Sequence, residues 1–233
     1  MKDPYVYENG VLINNFSIKD YETLKKYEQN IVNIKFIKIG EQDFGKNDIE
    51  SLKKIHKYLF GDLYPWAGEF RIIPIEKSEA ILGGDTIRYS MPKDIEKNIK
   101  NILKRMNTTN WKELSIEDKA KVFAKDIAEL WQTHAFRDGN TRTIVTFADK
   151  FSRNNGFELD LTIIKENSTH FRNYLVKASD GQYAEIGYLE RMLKACIENG
   201  EENKKVLNKE KKSNMSIKKT RSRLRTKGQE NSR

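Results

Sequence analysis

Most of this chain consists of stretches in which apolar residues recur every three or four positions, which is the spacing of an amphipathic helix. These stretches are residues 17–32, 45–68, 92–107, 115–136, 141–156, 160–179 and 184–199. Ser115 precedes one of them and Gly156 follows another, and these are start and stop signals for helices. The pattern predicts a mainly α-helical fold.

Residues 69–91, EFRIIPIEKSEAILGGDTIRYSM, have a different character. Two runs rich in β-branched and aromatic residues flank the turn signal at 83–85, Gly-Gly-Asp. Pro74 has no N–H group to donate and the flanks are polar, so a fully buried sheet is not expected. We predict a short, exposed β-hairpin here.

The formal net charge of +9 belongs to the C-terminal end of the chain. Residues 203–233 contain 12 Lys and Arg against 2 acidic residues, whereas residues 1–202 contain 31 basic and 32 acidic residues. The near-neutral part, 1–202, has the charge balance of an ordinary enzyme or binding domain. The basic part, 203–233, has few large apolar residues, and we predict a mostly disordered tail.

The chain shows no sign of a membrane or secreted protein. It has no run of about 18 apolar residues, so no transmembrane helix is expected, and its N-terminus lacks the apolar core of a signal peptide. The single cysteine, Cys196, lies on the apolar face of a predicted helix, which indicates a buried structural thiol. We therefore expect a cytoplasmic protein.

Residues 134–143, HAFRDGNTRT, concentrate the polar chemistry of the chain between two predicted helices. The N-terminus of the second helix can bind an anion, because its first N–H groups are unpaired. Gly139 permits close approach of the backbone, and Arg142 can donate two hydrogen bonds to phosphate. Asp138 can hold Mg²⁺ against phosphates, and His134 can accept a proton from a hydroxyl.

A polar turn between two helices is the alternative, and residue chemistry alone favours it. In that interpretation Asp138 and Asn140 cap the second helix, Gly139 supplies the turn, and Arg142 lies in solvent.

The order of these residues points to a known family. The pattern from His134 to Arg142, H-x-F-x-[DE]-G-N-x-R, resembles the signature of the Fic family. Residues 59–71, LFGDLYPWAGEFR, resemble the segment that leads into the flap hairpin of that family, and the residues that follow are similar to the flap itself. The resemblance covers residues 5–198 and implies a Fic-fold helical core with one β-hairpin flap. We call residues 69–91 the flap segment and residues 134–142 the catalytic motif.

The resemblance also implies an activity. Fic proteins are mostly adenylyltransferases, which move AMP from ATP to a Ser, Thr or Tyr hydroxyl of a target protein. By the same resemblance His134 deprotonates the target hydroxyl, and Asp138 coordinates Mg²⁺ between the α- and β-phosphates. Arg142 would grip the β- and γ-phosphates, and the backbone around Gly139 would form the anion hole. The full set of implied nucleotide-binding residues is Lys77, Ser78, Gly139, Asn140, Thr141 and Arg142.

The chain departs from the family pattern G-N-G-R-x-x-R at two positions. Thr141 stands in place of the second glycine and Val145 in place of the second arginine. The Thr141 hydroxyl can cap the helix or donate to the anion, so we expect it to be tolerated. The second arginine usually contacts the γ-phosphate, and its loss is expected to weaken the grip on ATP. Transfer of another phosphate-containing group, such as phosphocholine or phosphate, therefore stays open.

Several partners follow from the resemblance. The flap is expected to hold a segment of the target protein as an added strand, and a toxin-like Fic protein is expected to have a small inhibitory antitoxin. The basic tail is open to three interpretations: a solvated tail, a contact with nucleic acid, or a recognition signal. A non-catalytic module that holds a protein or DNA is the alternative from another class of function.

Overall fold

The computed structural model describes the backbone of residues 3–230 and the side chains of residues 3–209. Its longer helices, numbered in chain order, are α1 (Tyr21–Ile37), α2 (Ile49–Phe60), α3 (Ile95–Thr108), α4 (Ile116–Gln132), α5 (Asn140–Asn154), α6 (Leu161–Glu166), α7 (Ser168–Ala178) and α8 (Gly187–Glu230). Single 3₁₀ turns lie at Ile39–Glu41, Ala80–Leu82, Pro92–Asp94 and Gly181–Tyr183. The predicted mainly α-helical fold is confirmed.

Helix α4 lies at the centre of the domain and packs against α3, α5, α7 and α8. Its apolar stripe, which includes Phe123 and Ile127, is fully buried. Trp111 and Phe151 pack edge-on against each other with ring centroids 5.6 Å apart, and Trp111 also meets Phe123 at 5.7 Å. Each such side chain stabilises the fold by about 1.5–3 kcal/mol on burial, so this cluster holds the two helices that flank the catalytic motif.

Helices α1, α2, α4 and α6 begin with a side-chain cap, whereas α5 does not. Asp20, Asp48 and Ser115 each accept a hydrogen bond from a backbone N–H in the first turn of α1, α2 and α4. Helix α5 instead follows Gly139, which has a φ of 75° and gives no side-chain hydrogen bond. The first amides of α5 are thus left open for another acceptor.

The predicted helix 160–179 is two helices, α6 and α7. Asn167 separates them, and its side-chain amide donates to the carbonyl of Ile163 at 2.9 Å. An asparagine that bonds its own backbone in this way competes with helix continuation. The break lets α7 turn back onto α4 and α8, where it contacts the flap segment.

The flap segment is not a β-hairpin, so this part of the predicted fold class is wrong. Within residues 3–230 the one β-type pairing is an isolated antiparallel bridge between Val6 and Leu12. At the base of the flap segment, the Arg71 guanidinium donates to the carbonyls of Ile73 (2.7 Å) and Ser90. Those carbonyls are therefore satisfied by a side chain, where a hairpin would pair backbone with backbone.

The tip of the flap segment is closed by a compact loop. The Glu79 N–H donates to the Asp85 carbonyl at 2.8 Å, and the Gly84 N–H donates to the Glu79 carbonyl at 3.1 Å. Between base and tip, Pro74 removes one backbone donor. The segment is thus a loop held at two points, which explains why its β-leaning residues form no ladder.

Helix α8 runs without a break through residue 202 to Glu230. The disorder expected for residues 203–233 stays a prediction. These residues contain no proline, and lysine and arginine are good helix formers. The boundary at residue 202 therefore coincides with a change of charge and not with the end of a helix. In the part of the chain that the structure describes, no helix is long and apolar enough to cross a membrane.

Candidate active site

His134 lies in the loop between α4 and α5 in an unusual backbone conformation. Its φ is 45°, a left-handed value that non-glycine residues rarely adopt. Arg71 holds this backbone in place. Its side-chain Nε donates to the His134 carbonyl at 2.7 Å, and its backbone N–H donates to the Ala135 carbonyl at 2.9 Å. Local strain of this kind persists only where the surroundings enforce it.

The His134 ring is buried and neutral. It is 3% exposed, and neither ring nitrogen has a hydrogen-bond partner among the described residues. Burial, aided by the positive charges of Lys77 and Arg71, holds the pKa of His134 well below 6.5. The imidazole is therefore free to accept a proton at neutral pH.

Asp138 has the opposite charge state. Burial acts to raise the pKa of this carboxyl, but the positive charge of Lys77, the Gly139 N–H and the Arg142 charge together lower it below 3.8. The Gly139 N–H donates to Oδ1 of Asp138 at 2.5 Å, and the other carboxylate oxygen has no donor in the part of the chain that is described. Asp138 is thus an anion with one free oxygen beside the start of α5.

Gly139 cannot be replaced without strain. Its φ of 75° is left-handed, and an added Cβ would lie 2.4 Å from the Cε2 atom of Phe60. The close approach of Phe60 fixes the loop against α2. The backbone N–H groups of residues 140–142 have no acceptor among the described residues, so they form a site for an anion at the end of the helix dipole.

The Asn140 side chain is not part of that anion site. Its Oδ1 accepts from the Phe136 N–H at 2.9 Å, and its Nδ2 donates to the Phe136 carbonyl at 2.8 Å. The predicted role of Asn140 is therefore limited to its backbone N–H, while its buried amide locks the loop to the start of α5.

Thr141 has a partner that the sequence did not reveal. Its Oγ1 accepts a hydrogen bond of 2.9 Å from the indole N–H of Trp131, whose side chain is 1% exposed. Thr141 thus satisfies a buried donor, and its hydroxyl is engaged on the side of α4.

Arg142 already has a protein partner. Its guanidinium lies 2.5 Å from Oε1 of Glu28 on α1 and 4.6 Å from the ring centre of Phe60. The other oxygen of Glu28 accepts from the Tyr64 hydroxyl at 2.5 Å. Glu28 has no distinctive signal in the sequence, because it is one acid on a charged amphipathic helix far from the motif.

The two predicted flap residues differ in their relation to the catalytic motif. The Lys77 ammonium is the foremost of the charges that lower the pKa values of both His134 and Asp138, so its positive charge acts on both groups. Ser78 is exposed and donates to the Gly84 carbonyl at 2.7 Å. Ser78 therefore closes the tip of the flap segment and forms no hydrogen bond with the described residues of the catalytic motif.

His56 supports the motif from α2. Its Nδ1 accepts from the Gly68 N–H at 2.8 Å, so the proton lies on Nε2, which is 3.0 Å from the Asp138 carbonyl. Its ring stacks on that of Phe136 with centroids 3.9 Å apart. Burial lowers the pKa of His56 to about 4. These contacts give His56 a structural role, because it joins α2 to the loop that carries the catalytic motif.

The fold and the loop together define a helical domain built around an open helix N-terminus, with a neutral histidine and an ionised aspartate beside it. Residues 47–152, which contain both the flap segment and the catalytic motif, match the sequence model of the Fic/DOC family. This chain therefore carries a Fic/DOC domain, and the family indicated by the motif is confirmed.

Two relatives extend the match. "Protein adenylyltransferase VbhT" of Bartonella schoenbuchensis is 32% identical over 161 residues, which are 68% of this chain and 32% of that protein. "Probable protein adenylyltransferase y4lH" of Sinorhizobium fredii is 27% identical over 194 residues, which are 80% of this chain and 93% of that protein. The chain thus spans about a third of VbhT and most of y4lH.

A solved structure shares the fold. The VirB-translocated effector protein BepC from Bartonella tribocorum, crystallised with bound AMPPNP, has a TM-score of 0.69 and 22% sequence identity. The alignment covers 82% of this chain and 95% of BepC. The helical fold of this chain is therefore shared with BepC.

Proposed function

We propose that this protein is an adenylyltransferase that moves AMP from Mg-ATP to a Ser, Thr or Tyr hydroxyl of a target protein. One observation carries the proposal: a neutral histidine and an ionised aspartate flank uncapped backbone amides at the start of α5. A base must be unprotonated and a cation ligand must be charged under the same conditions. Here burial and neighbouring charges give His134 and Asp138 those two states.

The chemistry follows from this arrangement. His134 takes the proton of the target hydroxyl, whose oxygen forms a bond to the α-phosphorus of ATP. The bond between the α-phosphorus and the bridging oxygen breaks, and pyrophosphate leaves. The open amides of residues 140–142 hold the phosphates in line for the transfer, which is mainly a matter of position and charge.

Asp138 is suited to a magnesium ion that the phosphates also bind. The described residues contain no group of three or more potential metal-ligating side chains, so the protein does not build a metal cage here. Mg²⁺ in nucleotide enzymes commonly takes one or two carboxylates together with substrate phosphates, and the free oxygen of Asp138 supplies one such ligand. The bound ion would neutralise negative charge on the phosphates.

Arg142 is the residue that we assign to the outer phosphates. Its guanidinium has five N–H donors, so the contact with Glu28 leaves several for a ligand. Val145, in place of a second arginine, is partly buried against the core. With one arginine instead of two, the β- and γ-phosphates would be held less tightly.

The first arm of the flap segment is suited to binding an extended peptide. The backbone N–H groups of Ile75 and Lys77 have no acceptor among the described residues, and Ile72 is 72% exposed. A target segment that pairs with this backbone would present its hydroxyl toward His134. A toxin-like role, an antitoxin partner, a nucleic-acid contact of the basic tail and a cytoplasmic location stay predictions.

Radiolabel transfer tests the activity. The chain is incubated with bacterial lysate and either α-³²P-ATP or γ-³²P-ATP, and labelled proteins are counted on a gel. We expect label from the α-phosphate only. His134→Ala should reduce it at least about 100-fold, the usual contribution of a general base, whereas the exposed His170→Ala should not. Label from the γ-phosphate alone would point to phosphate transfer, the alternative reaction.

A second pair of variants tests the phosphate grip. Arg142→Ala should abolish the label, while Arg153→Ala on the same helix, whose side chain is 58% exposed, should leave it intact. Persistent labelling by Arg142→Ala would refute the role of this residue. No label under any condition would favour a non-catalytic binding module.

A further inference from the structure

The orientation of His134 has no hydrogen-bonded support. A histidine that acts as a base is usually held in one tautomer by a carboxylate or carbonyl on its second nitrogen. Both nitrogens of His134 lack such a partner among the described residues. The ring instead lies against two aromatic side chains: Tyr89, with centroids 4.1 Å apart and planes at 31°, and Trp131, at 5.6 Å and 84°.

Of these two rings, Tyr89 is held in place by a hydrogen bond to a residue of the flap segment. It is 7% exposed, and its hydroxyl donates to Oε1 of Glu79 at 3.2 Å. Burial, and then the charge of Glu79, raise the pKa of Tyr89 above its ordinary value, so the hydroxyl keeps its proton and remains a donor. The Tyr89 ring is thereby held by a hydrogen bond to a carboxylate at the tip of the flap segment.

That carboxylate is itself fixed. Glu79 is 2% exposed, and Arg172 on α7 donates to both of its oxygens, at 2.7 and 2.9 Å. The backbone of Glu79 also closes the tip of the flap segment through two hydrogen bonds. A buried bidentate pair of this kind is rigid and costly to break on one side only. An unbroken series of contacts therefore runs from α7 through Glu79 and Tyr89 to the His134 ring.

We propose that Tyr89 is the positioning residue for His134, and that the Glu79–Arg172 ion pair holds Tyr89 in this role. The ring fixes the plane of the imidazole and excludes water from one of its faces, which an orienting carboxylate would not do. The proposal rests on the assignment of His134 as the base in the proposed function. It adds a flap residue and a helix residue to the machinery that supports this base.

The charges around His134 set the expected direction of change. Those that act on it come from the flap segment (Lys77, Arg71), from α7 (Arg172) and from the motif (Arg137), and all are positive. Loss of the Tyr89 ring would admit water to the imidazole and relieve the burial that lowers its pKa. The pKa of His134 would therefore rise toward 6.5, its ordinary value.

NMR titration tests this directly, without any transfer assay. The chain has 3 histidines, and His56→Gln and His170→Gln assign the ring signals in the full-length protein. In wild type, we expect the His134 signal to stay in its neutral form below pH 6.5. In Tyr89→Ala the midpoint should rise. In the control Tyr174→Ala, which removes a ring stacked on Tyr188 at 5.4 Å, it should not move.

Two further variants distinguish the effect of the Tyr89 ring from the effect of its hydrogen bond to Glu79. Tyr89→Phe keeps the ring and removes the bond to Glu79, and Glu79→Gln keeps an acceptor but removes the charge that binds Arg172. Tyr89→Phe should raise the midpoint by less than Tyr89→Ala does, whereas Glu79→Gln leaves the Arg172 charge uncompensated and should lower the midpoint. If both leave His134 unchanged, the support by Glu79 and Arg172 is refuted. Tyr89→Phe retains the buried ring, so this arm remains decisive if Tyr89→Ala does not fold.

A kinetic measurement then connects the position to the reaction. Tyr89→Ala should lower kcat about tenfold or more with KM for ATP little changed, since misplacing a base costs rate and not ground-state binding. The acid limb of its pH profile should shift upward together with the NMR midpoint. An unchanged titration of His134, or faster transfer, would overturn the proposal. A wild type that titrates as expected but transfers no AMP would refute the proposed function alone.

Discussion

Thr141 occupies a motif position where the family often has glycine, and its side chain has a structural task. The indole N–H of Trp131 is buried beneath the loop, and the Thr141 hydroxyl is its acceptor at 2.9 Å. The sequence alone indicated that a hydroxyl here can be tolerated. It did not indicate the partner, because Trp131 lies on the preceding helix and the contact depends on how α4 and α5 cross.

Replacement of Thr141 tests this task. Thr141→Val keeps the shape but leaves the Trp131 N–H buried without an acceptor, which should reduce the free energy of unfolding by about 1–3 kcal/mol. Thr141→Ser keeps the acceptor and should lose clearly less. Urea denaturation followed by tryptophan fluorescence gives both values. Equal losses for the two variants would show that the hydrogen bond contributes nothing.

The flap segment shows what sequence patterns miss at the scale of an element. Alternating β-branched residues around Gly-Gly-Asp predict a hairpin, yet the segment is a loop. The difference comes from Arg71, which bonds the carbonyls of Ile73 and Ser90 and also those of the motif loop. A side chain that bridges two segments in this way has no local sequence signature. The β-strand propensity of the segment therefore could not predict the loop.

Helix α2 makes the catalytic motif sensitive to acid. The pKa of His56 is about 4 in the folded protein against 6.5 unfolded, so the unfolded chain binds more protons between these values. Its contribution to stability is complete above pH 6.5 and is lost as the pH falls toward 4. The total loss is about 3 kcal/mol.

Urea denaturation at a series of pH values between neutral and 4 measures this effect. His56→Gln should make the decline of stability with pH shallower than in wild type. The variant His170→Gln, at an exposed position, is the control and should decline as wild type does. Parallel curves for wild type and His56→Gln would show that another group is responsible.

At the scale of the whole molecule, α8 covers one side of the hydrophobic core. Leu189, Leu193, Cys196 and Ile197 form its buried stripe, and the Cys196 carbonyl accepts from the Asp160 N–H at 2.8 Å. Because α8 packs along α4, release of this helix would also expose the core behind the catalytic motif.

The single thiol reports on that packing. Cys196 is fully buried, and burial raises its pKa to about 12, so the reactive thiolate is scarce. We expect no reaction with a thiol-specific disulfide reagent in the native protein, and reaction of one thiol per chain in denaturant. Rapid reaction under native conditions would contradict a sealed α8.

The sequence by itself determined the helical pattern, the family and the residues of the motif, because helical periodicity and a contiguous motif are local properties of the chain. The tertiary structure decided which of those residues face the site. It brought His134 and Asp138 under the influence of the Lys77 charge, bonded the Asn140 side chain to the backbone of Phe136, and brought Glu28 to Arg142. Contacts between segments that are distant in the chain depend on packing, and packing has no signature in any one stretch of sequence.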